Sequence, residues 1–218
     1  MKIQKMILSA ALAGAVAATT LMFAGCASTP ADRAAAMSKN VVQSGKDLEA
    51  SRQGVSQCLT KLDQLIKQPS GDMRSQYKDY LASVKSLGKV SDKVDASINK
   101  MMEASHMYFA DWDIQIAAIN DATLKKLSQD RKQQAVSNLD DLEKSIDQMR
   151  AGYKPLAKDL DDIGIYLGNN LTADGIAAMK PRLDNIKDKA VSVRDAIANS
   201  VTALNKFSAT LSTPPPAK

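Results

Sequence analysis

Beyond residue 33, apolar side chains return at alternating spacings of three and four, which places them on one stripe of a helix. In a first stretch Val41, Leu48, Val55 and Leu62 stand seven apart, with Cys58 and Leu65 on the adjoining row. Pro69, Ser70 and Gly71 interrupt it. A second stretch runs from about Ser75 to Asn120 through Tyr77, Leu81, Val84, Leu87, Val94, Ile98, Met101, Tyr108, Trp112, Ile116 and Ile119. The third is the most regular. Leu139, Ile146, Tyr153, Leu160 and Leu167 repeat every seventh residue, and Leu142, Met149, Leu156 and Ile163 fill the row between. In the fourth, Ile176, Leu183, Ala190, Ile197, Leu204 and Leu211 alternate with Met179, Ile186, Val193, Ser200 and Phe207. So narrow a stripe, sustained over many turns, is a coiled-coil seam.

The residues between the stripes agree with this division. Gly168 follows Leu167 and suits the left-handed conformation that closes many helices. Asn169 and Asn170 form a turn, and the Thr172 hydroxyl is placed to cap the next helix. Leu171 and Ile176 occupy the two positions of a hydrophobic staple, and Asp174 meets the positive end of the helix dipole. The junction at Asn120-Asp121 carries neither Gly nor Pro, so two architectures stay open. With a turn there, four long helices fold as an elongated, antiparallel, coiled-coil-like bundle, about 50–70 Å long. Without it, helices 2 and 3 are continuous as one long rod. The bundle buries more apolar surface per residue and is the expected all-α fold. Pro155 and Pro181 lie inside helical patterns that resume in phase, so each should kink its helix rather than end it.

Ahead of the seams the pattern changes. Lys2 and Lys5 precede an apolar stretch from about Ile7 to Phe23, which ends Phe23-Ala24-Gly25-Cys26. This order is that of a secretory signal cleaved between Gly25 and Cys26, with the cysteine carrying lipid. A spanning helix needs roughly 20 apolar residues and this stretch is shorter. Ordinary secretory cleavage wants a small residue where Phe23 stands. Ala27, rather than Asp, follows the cysteine, which points to the periplasmic face of the outer membrane. The expected organisation is a signal peptide at 1–25, a lipidated tether at 26–33, a helical bundle at 34–211 and a proline-rich tail at 212–218.

Removing residues 1–25 from the 218 leaves 193, and the loss of Lys2 and Lys5 lowers the formal charge from +5 to +3. That charge is dispersed among acidic neighbours, which speaks against nucleic acid as a partner. Aromatics make up only 4% of the chain, so the core must be packed from Leu, Ile, Val, Met and Ala, as helices allow. With Cys26 committed to lipid, Cys58 has no partner for an internal disulfide. It can pair between chains or serve as a small apolar residue of its stripe; the second is expected.

Residues that could carry chemistry are few. Glu103 and His106 form a Glu-x-x-His pair of the kind that holds di-iron centres in bundles, but those sites need two such motifs and His106 is the only histidine. No metal or cofactor is expected. A nucleophilic serine needs a base oriented by a third group, and only His106 is available; no Gly-rich phosphate loop occurs, so no enzymatic activity is expected either. Asp140-Asp141 and Asp161-Asp162 flank seam residues and belong on outer faces. The aromatic cluster Tyr108, Phe109 and Trp112, with Met107 beside it, reads either as an interaction patch or as a wide core layer near one end of the bundle. At the other extreme, Pro214, Pro215 and Pro216 lead to Lys218. A lipidated start, a helical body and a terminal lysine resemble the plan of Braun-type murein lipoprotein, which implies a cell-wall link through Lys218.

A closer resemblance rests on Phe109 and Trp112, Leu124-Lys125-Lys126-Leu127-Ser128, Tyr153-Lys154-Pro155-Leu156, Asp162-Ile163-Gly164-Ile165-Tyr166-Leu167 and Asn170-Leu171-Thr172-Ala173 with Ile176-Ala177. From about Phe109 to Phe207 the chain resembles the bacterial lipoproteins of the domain-of-unknown-function 2959 family. That family tends to have Lys-His at Gly168-Asn169 and Asn at Thr172. The resemblance implies an all-helical periplasmic lipoprotein and brings no activity. The expected role is a non-enzymatic scaffold or adaptor, membrane-bound through Cys26, with a protein partner in the envelope. Self-association through the seams is a further expectation. The alternatives are a carrier that holds a lipid or apolar ligand between helices and the cell-wall tether through Lys218.

Overall fold

The computed structural model describes residues 30–69 and 73–212, and among them all regular structure is helical. Four helices follow in chain order: α1 Pro30–Lys67, α2 Met73–Ala118, α3 Ala122–Asn169 and α4 Ala173–Ser212. Each packs on its sequence neighbours, and α4 closes the ring against α1. No Cα–Cα approach within 8 Å joins α1 to α3 or α2 to α4. Cross-helix contacts give the directions. Asn40 on α1 faces Lys100, while Lys61 faces Asp79. On α3, Leu160 meets Tyr80 and Arg150 meets Asp95. Lys206 on α4 meets Asp141, and Lys189 meets Asp159. In each pair one number rises as the other falls, so every adjacent pair is antiparallel. This is the up-and-down bundle, and α2 and α3 are separate helices.

The turn at residues 119–121 uses signals that need neither Gly nor Pro. The Asp121 carboxylate accepts from the Leu124 amide at 2.9 Å, and its backbone is extended with φ −68° and ψ 120°. It thereby satisfies one of the first-turn amides that a helix start leaves unpaired. At the opposite end, Thr172 Oγ1 accepts from the Gly175 amide at 3.1 Å, as its position after the Asn pair predicts. Ile176 is buried, and Leu171 packs on the core beside it.

Gly168 departs from expectation. It is helical, and α3 continues one residue further, to Asn169. Its lack of a side chain serves packing instead. A Cβ there would lie 2.7 Å from the Tyr77 hydroxyl, and one at Gly164 would lie 2.9 Å from Leu81 Cδ2. The two glycines let α2 approach α3 closely enough for Tyr77 to donate to the Gly164 carbonyl at 2.9 Å. Helix α1 also begins earlier than residue 34, at Pro30, a residue suited to a first helical position. Pro155 and Pro181 sit inside continuous helices, as their phase predicts.

The core is one contiguous cluster drawn from all four stripes. Val41, Leu48, Val55, Cys58, Leu62 and Leu65 are buried on α1, and the complete 139–167 set is buried on α3. One seam position is corrected. Leu81 stays partly exposed at 37%, and Tyr80 takes the core place. A tyrosine can do so because its hydroxyl reaches across to donate to the Leu160 carbonyl at 2.5 Å, satisfying its polar end. Small hydroxyl residues also line the interior. Ser97, Ser105 and Ser200 donate to the carbonyls of Val94, Met101 and Ala196, so burying them leaves no orphan donor.

Candidate functional site

The four helices are not flush at the end where α1 begins. Arg33, in the first turn of α1, pairs with Asp111, yet α2 runs on to Ala118. Leu211, at the end of α4, accepts from Arg131, yet α3 starts at Ala122. The α2–α3 hairpin therefore projects past both neighbours, by about 10 Å beyond Arg33 and about 13 Å beyond Leu211 at 1.5 Å per residue. Stripe positions that α1 and α4 cover elsewhere lose their cover here.

The aromatic cluster forms at the root of this projection. Phe109 and Trp112 are buried and Tyr108 is half-buried, with ring centroids 5.5–6.3 Å apart among the three. Phe207 of α4 meets Phe109 edge-on at 6.4 Å. The core-layer reading thus describes Phe109 and Trp112, while Tyr108 faces a groove. Two polar contacts fix the indole. Its N–H donates to Ser128 Oγ at 2.9 Å, and the Arg131 guanidinium lies 5.7 Å from the ring centre. Arg131 also donates to the Leu211 carbonyl at 3.2 Å, placing a cation at the negative end of α4. Burial raises the Tyr108 phenol above its usual range, against the nearby Arg131 charge.

Beside these rings a groove of about 910 Å3 opens between α2, α3 and the end of α4. Tyr108, Trp112, Ile119, Leu124 and Leu127 form its apolar part, and Gln134, Asn138, Lys206 and Thr210 close its inner end. Asn138 is buried and donates to Thr210 Oγ1 at 2.5 Å while accepting from Gln134, which fixes α4 against α3 at this level. Leu124 and Leu127 belong to no predicted seam and stand in the sequence only as marks of the family resemblance. Their exposure depends on the stagger of the helices, which no residue pattern on one helix reveals.

The other candidates are quickly placed. Glu103 and His106 both lie on the exposed surface. Among the described residues no group of three or more His, Cys, Asp and Glu side chains could hold a metal. Asp140, Asp141, Asp161 and Asp162 are exposed, as expected. Cys58 is fully buried, and burial raises its thiol above the ordinary range. No described helix is long and apolar enough to cross a membrane. Gly25, Cys26 and Lys218 lie outside the described residues.

These features define an elongated antiparallel four-helix bundle with one projecting hairpin. The chain belongs to the family described as Protein of unknown function (DUF2959), whose match runs over residues 28–211. The likeness therefore spans all four helices and extends well ahead of Phe109. No curated protein and no solved structure matches the chain.

Proposed function

We propose that the protein is a non-catalytic lipoprotein, held at the periplasmic face of the outer membrane by lipid on Cys26, and acting as a rod-like helical scaffold or adaptor. One observation carries the reading: a basic, apolar and small-residue leader ends at Cys26, four positions before a bundle whose seams are filled along its length. The interior is mostly aliphatic, and buried Ser97, Ser105 and Ser200 bond within their own helices, which supports a mechanical role over a chemical one. The outer faces carry charges paired between neighbouring helices, such as Lys61–Asp79 at 3.1 Å and Lys206–Asp141 at 3.1 Å.

The apolar groove lies at the end of the bundle and opens to solvent, so a carrier role would have shallow contact with its cargo. The cell-wall tether fits less well. An even number of antiparallel helices returns Ser212 to the end where Pro30 begins. Lys218 can then lie no more than about 22 Å from that end, at most 3.6 Å per residue. The membrane is the partner through Cys26, and an envelope protein is the expected second partner.

Two measurements test the reading. Mass spectrometry of the purified protein should find an acylated N-terminal Cys26, and Cys26→Ala should release a folded chain from the membrane fraction. A periplasmic Cys26→Ala protein that restores the phenotype of a deletion strain in full would overturn it. Photo-crosslinking in cells from exposed Ile165, near the far turn, should yield one dominant envelope protein, and a smear of unrelated products would reject the adaptor role.

A further inference from the structure

The projecting hairpin carries an unusual share of exposed apolar side chains. Large apolar residues are exposed at eight described positions, and four of them lie between 107 and 127: Met107 at 52%, Ile114 at 70%, Leu124 at 56% and Leu127 at 42%. Each of the other helix ends lacks such a cluster among the described residues. In water this surface is a liability, and patches of this kind mark contact sites.

What covers it follows from where the chain enters the fold. Pro30 opens α1 three residues before Arg33, which pairs with Asp111 of α2, so α1 starts at the same end as the hairpin tip. Pro30 stands four positions after Cys26, so a lipid there can be no further than about 14 Å from the start of α1, at 3.6 Å per residue. The tip extends about 10 Å past Arg33 and so about 6 Å past Pro30, which is within that reach. An anchored bundle therefore has its tip within reach of the lipid headgroups. We infer that the α2–α3 tip, through Ile114, Leu124 and Leu127, inserts into the bilayer interface as a second membrane contact; the inference rests on the Cys26 anchor.

The charges at the tip permit this. Between residues 111 and 132, Asp111, Asp113, Asp121 and Asp130 balance Lys125, Lys126, Arg131 and Lys132. The acids are occupied: Asp113 by Lys132 at 2.5 Å, Asp130 by Lys126 at 2.9 Å, Asp111 by Arg33 and Asp121 by the Leu124 amide. Three of the four carboxylates thus face a cation, and the fourth, Asp121, is turned to the start of α3. Lys125 lies between the two leucines, where its long side chain can reach the headgroups while the leucines enter deeper. Two contacts rather than one would set the bundle end-on to the membrane.

The test uses the full-length acylated protein in vesicles of phosphatidylethanolamine and phosphatidylglycerol. An environment-sensitive fluorophore is attached at Leu124→Cys and, as a control at the far turn, at Asn170→Cys; Cys58 is buried and Cys26 is blocked. Quenchers are fixed on the lipid chains. The expected result is that the Leu124 site loses on the order of half its emission and the Asn170 site almost none, given an interfacial depth of 5–10 Å. Labelling at Ile114→Cys repeats the reading should the Leu124 variant fold poorly. If the vesicles carry the protein but the tip labels are quenched no more than the control, the inference is wrong and the anchor stands. A tip label shielded from iodide yet untouched by lipid quenchers overturns it too, in favour of a second copy or the C-terminal tail. Protein purified from membranes without lipid on Cys26 would overturn the anchor and this contact together.

Discussion

Glycine-to-alanine changes at two positions should move stability in opposite directions. In a helix interior, alanine is favoured over glycine by about 0.5–1 kcal/mol because glycine loses more backbone freedom on folding. At Gly88, exposed on α2, a new Cβ meets nothing within 4 Å. The full gain should appear there. At Gly175, in the first turn of α4, the Cβ would stand 2.0 Å from the Asn170 carbonyl oxygen and 3.0 Å from its carbon. That oxygen already accepts from the Thr172 amide at 2.8 Å, so it is held within the turn. Relief must come from shifting the α3–α4 turn, which also disturbs the Thr172 cap. Overpacking of this kind destabilises by roughly 1–3 kcal/mol, and loss of the cap adds about 1. Each kcal/mol is worth about 2–4 °C in a chain of this length. Thermal unfolding followed by circular dichroism should place Gly88→Ala about 2 °C above wild type and Gly175→Ala about 4–16 °C below it. Equal shifts in the two variants, or a neutral Gly175→Ala, would refute the packing argument.

Three further outcomes follow from buried or capping groups. Burial raises the Tyr153 phenol to about 12 and drives Tyr80 higher still, against 10.0 for a free tyrosine. Their stabilising share is intact below pH 10 and falls as the unfolded chain ionises above it. For Tyr153 the loss should reach about 2–3 kcal/mol near pH 12, at 1.36 kcal/mol per unit; unfolding against pH, with tyrosinate absorbance, reads this directly. The Cys58 thiol, buried and raised in pKa, should react with a thiol reagent only at the rate of unfolding in the folded Cys26→Ala chain, and fast native labelling would contradict the core placement. Asp121→Ala should lower stability by about 1 kcal/mol through the lost cap, as measured by urea unfolding, while Asp121→Asn should retain most of it.

The seams of α1, α3 and α4 were readable because a heptad repeat states which face is buried whatever that face meets. Single positions were less legible. Leu81 and Tyr80 are adjacent, and the choice between them depended on a carbonyl of α3 within reach of a phenol, which is a tertiary fact. Gly168 carried a helix-stop signal that packing against Tyr77 overrode. Asp121 held a usable sign of the turn, an acidic residue three before the amide that it caps, but the unbroken apolar pattern around it masked that sign. The aromatic cluster was visible as a cluster. Its division into a buried Phe109–Trp112 pair and a half-open Tyr108 came from α4 stopping short of the hairpin tip. Relative helix stagger has no local signature, so the exposed leucines of α3 could not be found from sequence alone.

The seven-residue seam also has a bearing on size. Adding one heptad to each of the four helices at the same level preserves every stripe and every antiparallel neighbour, and lengthens the bundle by about 10.5 Å at 1.5 Å per residue. Length can thus change in whole steps without redesigning the core. A molecule of this build, fixed at one end, acts as a gauge whose far turns stand at a height written in residue count.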